Sequence, residues 1–541
     1  MNTRSRCNGF AAVVALGLLV AATGCGSASQ QPSSQGTSSE PKSGGVLRTG
    51  EVRELINRDQ WRTGGVQDQT KIGSMYSGLI QFDPLQEDKI IADLADRWEV
   101  SPDGKEFTFY LRKNVKFHDG SDFAAADAKA TFDRVIKPRA ELALTRLAFW
   151  KTLDKAEVID PYTFKLTLKR SQPSFLSLLA IGFSGMLSKK DLEANNGDLG
   201  DKQNGTGPFM FVDYTVGVSF EVKKNPNYYK EDRPYLDGVK QFILPDDNAR
   251  LAAIRTKQID LLFSFPGITA AQGKTLEQAN IGVRIDRVET LVGLDYLAFN
   301  GKHKPYDNKL VRQAMNIVVD RPGFIDVARQ GNGKLASLFP PSSPWGLPID
   351  EVMKLPGWNP DKAKDITLAK ELLAKAGYPN GFDGGTLLIR AGQTDEDAAS
   401  YLQQEFLKIG IKLQQKRVDS TVFGQLTRAE DFDVYPIAEG NTVDDPDNIL
   451  YGQYHGTNLP SWGVKDSKTD ELIDKQSEML NQEERKKLVW EIQRYIMTEH
   501  LNKIPIDYPT RLAPAWPYVK NWINHKSVYN NTKFQDIWLD K

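Results

Sequence analysis

Cysteine is almost missing from this 541-residue chain: only Cys7 and Cys25 occur, both near its beginning. A domain downstream of Cys25 can therefore form no internal disulfide and no thiolate metal site. Histidine is nearly as scarce. His118, His303, His455, His500 and His525 include no pair three or four residues apart, and no HExxH occurs. That spacing speaks against a zinc site, and neither a metal nor a cofactor is expected. A lone histidine is usually structural; His303 and His455, in Gly/Asn-rich loops, are the two to test against a metal chelate. No G-x-S-x-G elbow and no serine–lysine signature is present, so nothing points to catalysis and the chain reads as a non-enzyme. A charge excess of either sign is also lacking, with 69 Lys and Arg against 70 Asp and Glu. Without a basic stripe, no nucleic-acid partner is expected. Gly267–Thr275 imitates a phosphate loop, but its glycines are separated by one residue too many for successive amides to converge on phosphate.

What is present begins with an address. Arg4 and Arg6 precede the small-apolar run Phe10–Ala22, which fits a secretory segment and falls short of the roughly 20 residues a spanning helix needs. The run ends in Ala22-Thr23-Gly24-Cys25, which resembles a bacterial lipobox. That resemblance implies a signal peptide over 1–24, cleavage before Cys25 and lipidation of its thiol. Residues 25–44 are rich in Ser, Gln, Gly and Pro and have too little apolar surface to repay ordering, so they read as a flexible tether. The remaining chain of about 500 residues, 40% hydrophobic over the whole sequence, is long enough to rest on core burial alone.

Along that domain, strand and helix patterns alternate. Gly45–Arg53 opens as a strand, and Ile72–Leu79 reads as a helical segment leading into Ile80–Asp83. Ser101-Pro102-Asp103-Gly104 is a turn feeding the period-two strand Phe107–Arg112. Ala124–Ile136 is a helix and Tyr162–Leu168 a further strand. Later helices are predicted over Pro360–Ala376, closed by Gly377, over Glu396–Ile409, and over Gln482–His500. Asp307 is the expected cap of a helix through Leu310, Val311, Ala314, Met315 and Val318. A strand is expected at Ile411–Val418. The mixture indicates an α/β or α+β domain and excludes a helical bundle.

Several strings, in order, resemble the extracellular solute-binding protein family 5 of dipeptide, oligopeptide and nickel ABC importers. They are Ala92–Trp98, Ser101–Gly104, Phe107–Arg112, Val115–Gly120 and Phe123–Asp127, then Gly205–Phe209, Asn225–Tyr229 and Gln258–Asp260, then Leu297–Asn300, Val311–Ala314 and Asp320-Arg321. The resemblance implies an α/β, two-lobed periplasmic-binding-protein fold of type II, of the large cluster with an extra subdomain, its lobes joined by two crossing strands. Lobe I is expected over 45–293 plus 510–541, with the extra subdomain at 83–204, and lobe II over 294–509. The crossings are placed near Leu294–Asn300 and Ile504–Pro509. Most matched strings read as fold determinants: Arg112 and Arg312 are expected in ion pairs, and Gly205–Pro208 in a tight bend.

The same resemblance implies a lipid-anchored monomer, exported to the periplasm or outer face. It would bind a peptide, oligosaccharide or other small solute and hand it to ABC permease subunits. A metal chelate is a further alternative, as is a surface sensor or chaperone without transport. Tyr76, Trp345, Tyr435 and Trp462 lie at predicted loops or element ends and are the aromatic candidates for the cleft. Dipeptide-binding relatives carry an aspartate three residues before an Asp-Pro-Asp-Asn string, where it meets the peptide amine. Here the string is Asp445–Asn448, and counting back three gives the neutral Thr442. Glu439 or Asp444 could substitute, and Glu439, Asn441, Thr442 and Asp444 are expected to line the cleft. Asp444-Asp445 itself, with Pro446 following, reads as a capped turn and no paired acid site.

Overall fold

Twelve strands, numbered along the chain, make one large sheet. They are β1 (Val46–Glu51), β2 (Phe209–Thr215), β3 (Ser219–Lys224), β4 (Gly238–Ile243), β5 (Leu261–Leu262) and β6 (Arg284–Glu289), followed by β7 (Val292–Phe299), β8 (Gly333–Lys334), β9 (Phe382–Arg390), β10 (Ile411–Val418), β11 (Val434–Gly440) and β12 (Lys503–Ala515). The structure is a computed structural model that describes residues 40–199, 202–391 and 395–541. The predicted signal segment, Cys25 and most of the tether lie outside the described residues.

The sheet runs β10-β9-β11-β7-β12-β5-β1-β4-β3-β2, and β6 and β8 also pair with β12. β1 lies parallel to β4 and β5, and β9 parallel to β10, whereas β12 is antiparallel to each of its partners. Its first part, Lys503–Asp507, pairs with β7, and its last, Thr510–Ala515, pairs with β6. β6 and β7 are consecutive, separated only by Thr290 and Leu291. Two neighbouring segments thus carry the chain between differently composed cores. One core gathers side chains from Leu47 to Phe263 and from Ala515 to Leu539, with Val443 as its one intruder. Two others draw only on residues 294–508.

A second sheet, of four strands, orders as Ala95–Val100, Glu106–Leu111, Thr163–Leu168 and Leu153–Asp160. Its inner face follows from period-two alternation: Phe107, Phe109 and Leu111 are buried, as are Phe164, Leu166 and Leu168. The helix Ala125–Ile136 packs Phe132 on that face, stacked on Phe164 at 5.8 Å and edge-on to Trp61 at 6.0 Å. Such aromatic pairs add to area burial.

Most predicted elements appear within a residue or two, and the departures have local causes. Instead of a helix over Ile72–Leu79, the helix is Val66–Ile72, and Tyr76 is already extended. The chain leaves the helix because the Gly207 amide donates to the Met75 carbonyl at 2.9 Å, which draws this segment against the Gly205–Pro208 bend. Asn308, one residue on from Asp307, caps Lys309–Val318 by accepting from the Leu310 amide. Arg312, expected in an ion pair, instead donates to the carbonyls of Leu501, Tyr306 and Asp307, and burial brings it down to about 10. Arg112 does pair, with Asp96 at 2.6 Å. The helix at Gln482 is regular to Tyr495 and widens into a π turn over Ile496–His500.

The C-terminal segment after β12 is pinned by a buried charge. Asp93 accepts from the Gly78 amide and the Tyr229 hydroxyl, lies 2.8 Å from Lys230 and pairs with Lys533. Burial alone would raise its carboxyl, but the two ammonium groups outweigh it and hold Asp93 at about 2. Both share one carboxylate, and burial brings Lys533 down to about 8. A carboxyl depressed in the folded state stabilises above its unfolded pKa, and the gain is lost as pH falls toward the folded value. Acid titration should therefore remove about 2 kcal/mol between pH 4 and pH 2. Denaturant melts across that range should show the gap between wild type and Asp93→Asn closing; a constant gap refutes the assignment.

Candidate ligand-binding site

The loop after β11 enters the site as an edge strand gives out. β11 pairs with β7 along its whole length but touches β9 only at Leu387–Val434, so its end at Ala438–Gly440 has one free edge. Asn441 then turns away. Its amide donates to the Leu291 carbonyl at 2.9 Å, and the Leu291 amide donates to the Lys526 carbonyl at 2.8 Å. The two-residue break between β6 and β7 thereby stitches the loop to the C-terminal segment. Asn448 holds the loop by accepting from the Thr442 and Val443 amides. Val443 is buried in the first core.

Side chains latch the same contact. Lys526 Nζ lies 3.2 Å from Asp444 and 2.8 Å from Asp88, and Ser527 Oγ donates to the Thr442 carbonyl. Asp444 also accepts from Ser343 at 2.6 Å, and its carbonyl accepts from the Trp345 indole at 3.2 Å. Burial keeps Asp444 above the ordinary carboxylate range despite Lys526, while Asp444 and Asp88 outweigh burial at Lys526 and raise it. A second contact joins Ser174, near the four-stranded sheet, to Asp447 at 3.3 Å.

Glu439, Asn441, Thr442, Asp444 and Trp345 are therefore brought together. Glu439 is paired with Lys503, whose ammonium lies over the Tyr296 and Tyr454 rings and is lowered by burial. Gln453 links that pair to Asn441, donating to its side-chain oxygen at 2.9 Å. Asp445 is held bidentately by Arg485 at 2.8 and 2.9 Å. Tyr435 and Trp462 lie apart from this group, in an aromatic cluster with Phe432 and Phe423. Tyr76 is elsewhere again, 1% exposed within the first core. His303 pairs with Asp433, and His455 stacks on Tyr451 and lies 3.4 Å from Asp474.

Beside the latch is a cavity of about 20 Å³ lined by residues from three stretches: Val66 and Thr70, Phe263–Phe265, and the C-terminal run Trp522–Asn530 except Lys526 and Tyr529. Sequence reasoning missed this wall. The only available signal was the density of indole, amide and imidazole groups in Asn521–Asn531, a stretch with neither helical nor strand period.

Two cores spanned by paired strands, with a loop of one latched to the other beside a polar and aromatic cavity, define a two-lobed binding protein. Residues 89–461 match bacterial extracellular solute-binding proteins, family 5 Middle, and the chain belongs to that family. It is 30% identical over 86% of its length to heme-binding protein A of Haemophilus influenzae, covering 87% of that protein. It is 33% identical to the glutathione-binding protein GsiB of Pectobacterium atrosepticum, over 65% of each chain, just under two thirds of that relative's length. Among solved structures it resembles DppA of Helicobacter pylori in complex with the peptide STSA, with TM-score 0.76 and 26% identity over 92% of this chain and 99% of that one. Members of this family are extracytoplasmic, non-enzymatic transport components that bind small-molecule or peptide ligands and work with ABC permeases. Among the described residues, no helix is long and apolar enough to cross a membrane.

Replacing Lys526 with Met leaves Asp444 buried without its cation, which should cost about 3–5 kcal/mol. Urea unfolding should show that loss and small-angle scattering a larger radius of gyration, both largely reversed in K526M/D444N. A K526M protein with unchanged stability and dimensions removes the latch.

Proposed function

We propose that this protein captures a peptide-like solute between its two halves and delivers it, unaltered, to the permease of an ABC importer. One observation carries the reading. The loop Asn441–Asp447 of one half is bonded to Lys526, Ser527 and Ser174 of the other, immediately beside the cavity. Contacts of that kind close a cleft when they form and open it when they break. A cavity of about 20 Å³ has room for about one water, too little for a whole solute with the latch formed. The moving units are residues 45–293 with 510–541, including 83–204 as an added subdomain, and residues 294–509. The break at Thr290–Leu291 and the matching stretch of β12 absorb the rotation.

The peptide assignment draws on DppA, bound to STSA, and on the glutathione-binding relatives. The protein acts as a monomer, tethered by lipid on Cys25 through residues 26–44. Two or three acyl chains, at about 0.8 kcal/mol per buried methylene, hold such a domain at a membrane.

Deleting the gene should abolish uptake of the solute that co-purifies with the protein. Native mass spectrometry of the released solute should show an unchanged mass, and Cys25→Ser should move the protein from the membrane to the soluble fraction. Uptake that survives the deletion would favour a sensor or chaperone, and an altered solute would mean an enzyme.

A further inference from the structure

We infer that the cavity walled by Trp522, Asn524, His525 and Asn530 is a subsite for an uncharged polar group of the solute, one offering at least two donor hydrogens and one acceptor. The inference rests on the solute-binding reading above and deepens it. All four residues line the cavity, and each carries a buried polar atom with no hydrogen-bond partner: Trp522 Nε1, Asn524 Oδ1, His525 Nδ1 and Asn530 Oδ1. Leaving such an atom unpaired costs about 1–3 kcal/mol, so four around one small space need a reason.

At His525 and Asn524 the polarity follows from the other end of the group. His525 Nε2 lies 3.0 Å from the Pro84 carbonyl, which can only accept. Nε2 therefore carries the hydrogen, and Nδ1 of the neutral ring is an acceptor. Asn524 Nδ2 donates to the Asp286 carboxylate at 3.0 Å, which fixes the amide and makes its Oδ1 an acceptor. With Asn530 Oδ1 the cavity presents three acceptors, against one donor on Trp522.

Charge decides the rest. Asp286 is engaged by Arg284 at 2.8 Å and by Asn524, and Asp444 by Lys526 and Ser343. Of the other acids nearby, Glu51 accepts from Thr70 and faces Lys71, Asp88 pairs with Lys526, and Glu87 accepts from the Lys526 amide; the nearby cations include Lys526 and Arg511, whose guanidinium lies 5.6 Å from the Phe265 ring centre. An ammonium would be buried beside cations with no anion to itself, at a cost of several kcal/mol. A carboxylate would face three lone pairs. A carboxamide meets two of the acceptors with its N–H donors and the Trp522 N–H with its carbonyl, and paired hydroxyls do the same. Phe263, which meets Trp522 edge-on at 5.6 Å, and Phe265 supply apolar walls for the atoms that carry them.

The test uses the purified chain without its signal segment and three probes: acetyl-Ala-Ala-Ala-amide, free Ala-Ala-Ala and cellobiose. Calorimetric titration should show binding of the capped peptide or of cellobiose in preference to the free tripeptide. The capped peptide indicates an amide in the subsite, cellobiose hydroxyls. Asn530→Leu and Trp522→Phe should each weaken that binding about tenfold, or about 1.4 kcal/mol. Neither should lower the melting temperature of the ligand-free protein, because each removes an unpaired group. Preference for the free tripeptide, unchanged affinity in both variants, or no binding of either neutral probe overturns the subsite. None of these outcomes touches the uptake phenotype, and loss of the transport reading there would leave these affinities standing.

Discussion

The strand Lys503–Ala515 is the constraint on which the rest depends. Its backbone is committed to β7 at one end, to β8 in the middle and to β6 at the other, so both halves share one continuous hydrogen-bonded ribbon. Unpaired amides and carbonyls in a buried strand are costly, and this ladder resists bending except where it is interrupted. The interruption is Thr290–Leu291, and the Leu291 amide and carbonyl are spent there on the C-terminal segment and on the loop at Asn441. The break in the ladder and the contacts that join the halves thus fall on the same few residues. Asp295 and Asp507 face each other across the ribbon with Arg329 paired to Asp295 and 3.5 Å from Asp507. Burial and the neighbouring carboxylate raise Asp507.

Around that joint, buried charge is compensated pair by pair: Glu439 with Lys503, Asp444 with Lys526, Asp445 with Arg485. Buried pairs of this kind add little net stability, since desolvation offsets attraction, but separating partners is expensive. Two of the pairs lie within one half and shape the loop. The third spans the halves and reports whether they are together. The acids that a sequence reader would offer to a ligand amine are already occupied by lysines of this chain.

How much could be read in advance depended on the range of the interactions. The strand Phe107–Arg112, the helices at Ala125 and Gln482 and the strand Ile411–Val418 announce themselves through periods of two and 3.6, which local packing enforces. The Asp445-Pro446-Asp447-Asn448 string drew attention to the loop before it through its resemblance to dipeptide-binding relatives, and the turn itself is local chemistry. The helix over Ile72–Leu79 failed because the Gly207 amide, more than a hundred residues away, claims the Met75 carbonyl. Tyr76 looked like a loop aromatic and is core for the same reason.

The amino-acid order by itself determined the α/β class, the family and the lack of cysteine downstream of Cys25. Only the tertiary structure decided that Glu439 and Asp444 are neutralised, by Lys503 and Lys526, and that a wall of Trp522, Asn524, His525 and Asn530 stands opposite Phe263 and Phe265. Charge pairing and unmet hydrogen bonds are properties of neighbours in space. Residues some 60 to 440 positions apart in the chain leave no periodic trace of such neighbours in a single sequence.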